Sequence, residues 1–273
     1  MYFADLHVHT TVSDCSEDVS VILNMAKETG ITHIAFTDHD TTKMAPEHIS
    51  RAEAMGISAI SGVEMSACDY DSGIRAHILG YGYVTTSHIE KIGAETLRKR
   101  NENCLRQMEI LRQLGYTIEE EKIREMASGC IYKQHILAYL LKTGQTYAIF
   151  GDVYQKIFKN GGPCDFDIEY PRPEECVQAI CSDGGTAVLA HPGQQNNYYL
   201  IPRLVESGLK GIEYNHPSHD EAQRKQVQRR AEEFGLLMTG GSDFHGAYER
   251  IRSKLGVYPA HESSRALFQR TRP

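Results

Sequence analysis

The sequence has no run of 18 or more apolar residues, so no membrane-spanning helix is expected. It shows no basic start followed by an apolar stretch, so no secretory signal is expected either. There is no C-x-x-C pair. The seven cysteines, at 15, 68, 104, 130, 164, 176 and 181, are odd in number and scattered. That pattern excludes a zinc ribbon and a disulfide scaffold and predicts reduced thiols in a cytoplasmic protein. Basic charge is not in excess. The formal net charge is −7, which argues against long nucleic acid or an acidic membrane surface as partners. No internal repeat, heptad array or low-complexity tract is found.

What the chain does have is histidine, 13 in all, and their placement carries more than their number. A length of 273 residues with 41% hydrophobic content suits one large α/β domain or two small ones. A first strand is predicted over Tyr2–Leu6. It runs into His7-Val8-His9, whose two imidazoles, at i and i+2, point to the same side. Asp14 follows in a polar loop.

Helices are predicted over Val19–Thr29 and Ala45–Met55, and strands over Ile31–Phe36 and Ile57–Val63. The strands deliver Thr37-Asp38-His39-Asp40 and Glu64. Strand and helix alternate at a spacing that predicts parallel strands with crossover helices. A further strand, Ile74–Tyr83, carries His77.

From Ser87 the pattern turns helical: one long helix to about Leu114, then Ile118–Met126, Tyr132–Leu141 and Ala148–Phe158. Residues 98–165 read as a helical cap inserted into a body formed by 1–97 and 166–273. The cap has a net charge of +3 against −10 for the body, a balance that suits an anionic substrate but equally a solvated helical surface. The body then resumes. Helices over Glu174–Ser182, Leu200–Ser207 and Asp220–Phe234 alternate with strands over Thr186–Ala190, Gly211–Tyr214 and Leu236–Thr239. These strands end at His191-Pro192, Asn215-His216-Pro217-Ser218-His219 and Ser242-Asp243-Phe244-His245. A last strand is predicted near Leu255–Tyr258 and a last helix over Glu262–Arg270.

In a parallel α/β barrel the strand ends that carry these residues lie on one face. Six imidazoles (His7, His9, His39, His77, His191, His245) and three carboxylates (Asp14, Glu64, Asp243) suit Zn, Mn or Fe better than Ca or Mg. Clustered divalent ions lower the pKa of a bound water and clamp phosphoryl oxygens. The expected nucleophile is therefore a metal-bound hydroxide, with no Ser or Cys nucleophile needed, and Cys15 is read as a bystander.

This ordered set of motifs resembles the PHP (polymerase and histidinol phosphatase) family, within the amidohydrolase-like superfamily. The resemblance implies a distorted (β/α)7 TIM-like barrel with an inserted helical cap, similar to the family's small-nucleotide phosphoesterase branch. It implies two or three divalent ions: one held by His7, His9, Glu64 and Asp243; a second by Glu64, His77 and His191; a third by Asp14, His39 and His245. Glu64 would bridge two of them. Asp38 and Asp40 would flank His39, one orienting an imidazole and the other capping the loop.

On the substrate side, Tyr132-Lys133-Gln134-His135-Ile136 stands where the family often shows Arg-Pro-His. Lys133 replaces the arginine as a point charge without its fork, Gln134 replaces the proline, and His135 matches. Arg98 and Arg100 are further phosphate candidates. His216 and His219 are candidates for binding phosphate or donating a proton. For each of these a plain surface or capping role is the competing reading. The Gln194–Tyr199 loop is read either as a plain surface loop or as a wall that contacts a base or sugar.

The expectation is a cytoplasmic metal-dependent phosphoesterase for a small phosphorylated ribose or nucleotide, with Asp14, Glu64 and His216 in catalytic roles. A 5-phosphoribose 1,2-cyclic phosphate, a nucleoside 3′,5′-bisphosphate and the 5′ end of short RNA compete as substrates. A histidinol phosphatase and a polymerase-associated module are the remaining alternatives. The acidic body weighs against long RNA.

Overall fold

The computed structural model describes residues 2–249 and 253–269. A three-stranded sheet holds β1 (Ala4–Val8), β2 (His33–Phe36) and β3 (Ser58–Ile60), all parallel in that order. Helices α1 (Val19–Thr29) and α2 (Ala45–Ala54) cross between them. In α1 the buried residues Val19, Ile22, Leu23 and Ala26 recur at helical spacing and form one face. Asp18 caps its start by accepting from Ser20 N and Val21 N, and Gly30 ends it in the left-handed region at φ 80°.

A second sheet holds β4 (Gly62–Asp69), β5 (Ile74–Tyr81), β6 (Thr186–Leu189), β7 (Gly211–Asn215) and β8 (Leu237–Gly240). Here the expectation of parallel strands fails for one member: β5 runs antiparallel to both β4 and β6. Only residues 70–73 separate β4 from β5, far short of the dozen or so that a parallel crossover needs, so the chain turns back as a hairpin.

The strand expected over 57–63 is also two elements. It breaks at Ser61, and its halves join different sheets. Among the described residues the ladders do not close into a continuous barrel. Single bridges, Val8 to Phe244 and His39 to Glu64, connect the two sheets.

The strand expected at 255–258 is a turn. Gly256 has φ 76°, its N–H goes to Asp5 Oδ2 at 2.9 Å, and Ala260 N–H goes to Ala4 O at 2.8 Å. The segment spends donors on β1 without forming a ladder. The final helix begins as a 3-10 turn, Glu262–Arg265, and its expected end at Arg270 lies outside the described residues.

Between the two halves of the body lie α3 (Ser87–Gln113), α4 (Glu120–Glu125), α5 (Lys133–Lys142) and α6 (Asp152–Ile157). Helix α3 serves two cores. Ile89 packs into the body with Val63, Met65, Ile180 and Leu189. Cys104, Met108 and Leu111 pack into a separate cluster with Ile123, Ile136, Leu137, Tyr139 and Phe158. Each fully buried aliphatic side chain contributes roughly 1.5–3 kcal/mol, so the helical segment has a core of its own. Gly93 lets α3 lie against the loop after β2: a Cβ there would stand 2.1 Å from Asp40 O. The body is completed by α7 (Pro173–Ser182), α8 (Pro192–Gln195), α9 (Ile201–Glu206), α10 (Glu221–Phe234) and α11 (Ala266–Gln269).

Candidate metal centre

The strand ends and the β4–β5 hairpin converge on one mouth. His7 lies on β1 and His9 just past it, Asp14 on the loop that follows, and His39 beyond β2. Glu64 and His77 come from β4 and β5, His191 from the end of β6, His216 from the end of β7, and Asp243 and His245 from the loop after β8. Because β5 is antiparallel, His77 sits mid-strand opposite Ser66 and not at a strand end. Three non-glycine residues here, Asp40 (φ 57°), His191 (φ 24°) and Asp243 (φ 50°), have positive φ. Such conformations persist only when surrounding contacts hold them. The strand–strand approach is equally tight: a Cβ on Gly241 would stand 2.4 Å from His7 N.

Glu64 is the hub. Its Oε2 lies 3.2 Å from His7 Nε2, 3.1 Å from His9 Nε2 and 3.2 Å from His39 Nδ1. Its Oε1 lies 2.8 Å from His77 Nδ1 and 3.0 Å from His191 Nε2. Asp243 Oδ1 approaches His7 Nε2 at 3.2 Å and His9 Nε2 at 3.3 Å. Asp14 Oδ1 approaches His245 Nε2 at 3.2 Å and His39 Nε2 at 3.8 Å. Donor atoms close enough to share an ion occur in the groups His7–His9–Glu64–Asp243, Glu64–His77–His191 and His9–Asp14–His39–His245.

The chemistry of these atoms fits a metal. His7 Nε2, His9 Nε2, His39 Nδ1, Asp14 Oδ1 and Glu64 Oε2 are buried and make no hydrogen bond. Unpaired buried polar atoms are costly, and cations shared within these groups would satisfy them.

The electrostatics follow. Burial opposes charge on Glu64, yet His39, His77 and His7 hold its carboxyl well below the usual range. Burial likewise opposes a charged His245, but Asp14 and Asp243 push it up to about 10. Burial dominates at His39 and lowers it to about 3.

Outer contacts orient the rings. Glu213 is the residue that sequence reasoning missed. Its Oε1 stands 3.0 Å from His7 Nδ1, and its Oε2 accepts the His191 N–H at 2.8 Å. One buried carboxylate thus steadies ligand-competent residues on two strands. The available signal was a charged residue in the otherwise buried start of β7, Gly-Ile-Glu. His245 Nδ1 is 2.8 Å from Asp243 O, which leaves Nε2 free to face Asp14.

Neither Asp38 nor Asp40 hydrogen-bonds a clustered imidazole, contrary to expectation. Asp38 accepts from Thr10 N at 2.8 Å and Ser13 Oγ at 2.8 Å, and so anchors the loop before Asp14. Asp40 accepts from Ser66 N at 2.8 Å and Arg100 Nη2 at 2.9 Å, and so ties α3 to β4.

A cavity of about 380 Å3 opens over the clusters. Its lining includes Asp14, Glu64, His77, Gln134, His216 and Asp243. A second cavity of about 190 Å3 lies beside it and shares Gln134 and Phe150 as walls; Arg75, Arg100 and Lys133 line it. Arg75 pairs with Asp167, and Arg100 with Asp40. Among the described residues Lys133 forms no ion pair; its Nζ stands 5.8 Å from the centroid of the Phe158 ring, and burial lowers its pKa. A larger cavity of about 900 Å3 near His33, Ile57 and Tyr83 receives none of the clusters.

Three of the remaining expectations change. Arg98 is exposed and bonds Glu95 and Glu102 along α3, lining neither cavity. Positions i and i+2 are about 200° apart around a helix, so Arg100 takes the cavity position instead. His219 is buried and spends both ring nitrogens on backbone: Nδ1 is 2.9 Å from Tyr214 O, and Nε2 accepts Gly193 N–H at 3.0 Å. It holds loops together and does not face the cavity. His135 is also buried, its Nδ1 accepting Tyr132 N–H at 3.0 Å at the start of α5.

His216 does line the cavity. Its Nδ1 accepts Ser218 N–H at 3.1 Å, which leaves Nε2–H 3.2 Å from Asp243 Oδ2. Cys15 is buried, and burial pushes its thiol well up, away from the thiolate that a nucleophile needs. In the Gln194–Tyr199 loop, Gln194 reaches the cavity while Tyr199 bonds Asp69 at 3.0 Å.

Buried imidazoles gathered around shared carboxylates beneath an open cavity are the site of a metal-dependent hydrolase. The PHP domain family matches over residues 5–181, and the chain belongs to that family. It is 40% identical over 250 residues to a phosphoribosyl 1,2-cyclic phosphate 1,2-diphosphodiesterase from Eggerthella lenta, covering 90% of this chain and 95% of that one. It is 28% identical over 259 residues to a 3′,5′-nucleoside bisphosphate phosphatase from Chromobacterium violaceum, covering 90% of this chain and 88% of that one. Among solved structures it superimposes, with a TM-score of 0.89 and 26% identity, on a Bifidobacterium adolescentis protein assigned as a metal-dependent phosphoesterase. That match covers 99% of this chain and 96% of the other. The protein is a metal-dependent phosphoric ester hydrolase.

Proposed function

We propose that the chain hydrolyses phosphate esters of a small, doubly phosphorylated ribose, with 5-phosphoribose 1,2-cyclic phosphate as the favoured substrate and a nucleoside 3′,5′-bisphosphate as the runner-up. The observation that carries this reading is the pair of adjoining cavities. One phosphoryl group sits over the clustered imidazoles and carboxylates. The other sits against Lys133, Arg100 and Arg75. The 40% identity to the Eggerthella lenta diesterase supports the sugar phosphate. The small combined volume favours a compact substrate over an RNA chain, and the second cavity, lined by Arg75, Arg100 and Lys133, favours two phosphoryl groups over the single one of histidinol phosphate.

His7, His9, Glu64 and Asp243 would hold one divalent ion, Glu64, His77 and His191 a second, and Asp14, His39 and His245 a third. The mixed imidazole–carboxylate set supports Mn, Fe or Zn. Such ions, when bound, acidify water and neutralise phosphoryl charge. The protein's own residues do the rest. Glu64 and Asp243 keep the rings of His7 and His9 at fixed separation. Glu213 holds His7 in the tautomer that presents Nε2. His216 offers Nε2–H to a phosphoryl or leaving oxygen that approaches Asp243. Lys133 attracts the remote phosphate.

The bridges at Val8 and His39 support a distorted (β/α)7 barrel for residues 1–97 and 166–273. The separate apolar cluster supports 98–165 as its cap. Seven free cysteines support a cytoplasmic setting.

Phosphate release with added Mn2+ from 5-phosphoribose 1,2-cyclic phosphate, adenosine 3′,5′-bisphosphate and a short 5′-phosphorylated RNA is the test. Fastest turnover of the cyclic ribose is expected, and no release from any of the three rejects the reading. Lys133→Ala is expected to raise KM about 10–100-fold through loss of one charged contact. An unchanged KM removes the second cavity from the substrate site.

A further inference from the structure

The cap touches the clustered ligands through a side chain that no cluster needs as a ligand. Gln134, the second residue of α5, donates from Nε2 to Asp14 Oδ2 at 2.7 Å. Asp14 Oδ1 faces His245 and His39 and makes no hydrogen bond. A carboxylate can turn about its terminal torsion, which is soft. The bond from Gln134 fixes that torsion, and with it the direction in which the other oxygen points. Apart from the imidazoles that it faces, no other side chain among the described residues holds the Asp14 carboxylate; Asp38 fixes only the backbone and hydroxyls of the loop before it. Gln134 also walls both cavities and directly follows Lys133.

We propose that Gln134 is a positioning residue that aims Asp14 at the His39–His245 pair, so that retention of the third ion depends on the cap. This rests on the ligand assignment proposed above. The side-chain amide is the operative group, because the backbone of α5 does not require glutamine there. Position 134 is in the first helical turn, where an N–H has no partner within the helix and proline is tolerated.

The experiment uses the full chain with Mn2+ as probe. Chelator competition measures the dissociation constant of each bound ion in wild type, Gln134→Ala and Gln134→Pro, and Asp14→Asn identifies the ion that Asp14 holds. Both Gln134 variants are expected to loosen that ion about 10–100-fold, as loss of an outer hydrogen bond to a ligand does, and to leave the others unchanged. The melting temperature of metal-free protein should stay constant. With 5-phosphoribose 1,2-cyclic phosphate, kcat should fall while KM changes less than about twofold, and raising Mn2+ by the factor lost in affinity should restore kcat.

Unchanged affinity for the Asp14 ion in both variants overturns the proposal. So does equal loosening of every ion, or a rise in KM alone, which would make Gln134 a substrate contact. Wild-type protein that takes up no Mn2+ overturns the ligand assignment itself, a result separable from the Gln134 outcomes.

Discussion

Glu64→Gln is expected to reduce phosphate release at least about 10³-fold and to lower the Mn2+ content of the purified protein. Glu64 contacts five imidazoles through two oxygens. Its amide would present one oxygen and one NH2 group, and the NH2 group has no lone pair to offer a cation. Loss of metal removes several kcal/mol of transition-state stabilisation, at 1.36 kcal/mol per tenfold in rate. Metal analysis and initial rates on the same samples check this; full turnover by a metal-depleted variant would contradict it.

The same cluster sets a pH dependence for metal loading. In metal-free protein, His7 is raised well above its ordinary value: burial opposes this, but Glu213, Glu64 and Asp243 outweigh it. His245 is pushed up to about 10. Both rings therefore carry protons at neutral pH that an incoming ion must displace. Apparent affinity rises as pH increases from 7 toward 10 and falls on acidification, with protons released on loading.

The second large effect is on stability. Arg100→Met is expected to destabilise the fold by about 3 kcal/mol, with a Tm fall on the order of 10 °C. Asp40 is 1% exposed, and its only cationic partner among the described residues is Arg100 at 2.9 Å. Without the guanidinium a buried carboxylate is left uncompensated. The cost sits at the low end of the range for buried pairs because the Arg100 side chain keeps 18% exposure.

The sign with pH is definite. Burial, working against Arg100, already raises the Asp40 pKa. Removing Arg100 raises it further, so the variant's deficit is largest at neutral and alkaline pH and shrinks as acid protonates Asp40. The double variant Asp40→Asn/Arg100→Met should recover part of the loss, since both partners then go together. Equal Tm for wild type and Arg100→Met would show that the pair carries no weight.

Much of this site was legible before any coordinates. His-x-His at a strand end, Glu64, His191 and Asp243-Phe244-His245 are local patterns, and alternation along a strand decides which side they face. The helical segment was legible too, because apolar residues recur at a 3.6-residue period through α3 and α5. The strand directions were less so. The β4–β5 hairpin turns on four residues whose conformation local pattern did not reveal, and the break at Ser61 depends on which neighbour each half pairs with.

Arg98 and Arg100 look alike in sequence. Only the rotation of α3 against the body, set by the tight approach at Gly93, puts one in the cavity and the other in solvent. His219 and His216 likewise share a loop, and the hydrogen bonds to Tyr214 and Gly193 separate their fates. The amino-acid sequence alone determined the donor types, their order along the chain and the alternation of strands and helices, because those follow from covalent order and short-range periodicity. The tertiary structure decided which oxygen meets which nitrogen, that Glu213 braces His7, and that Gln134 reaches Asp14, because contacts between residues more than a hundred positions apart exist only once the whole chain has packed.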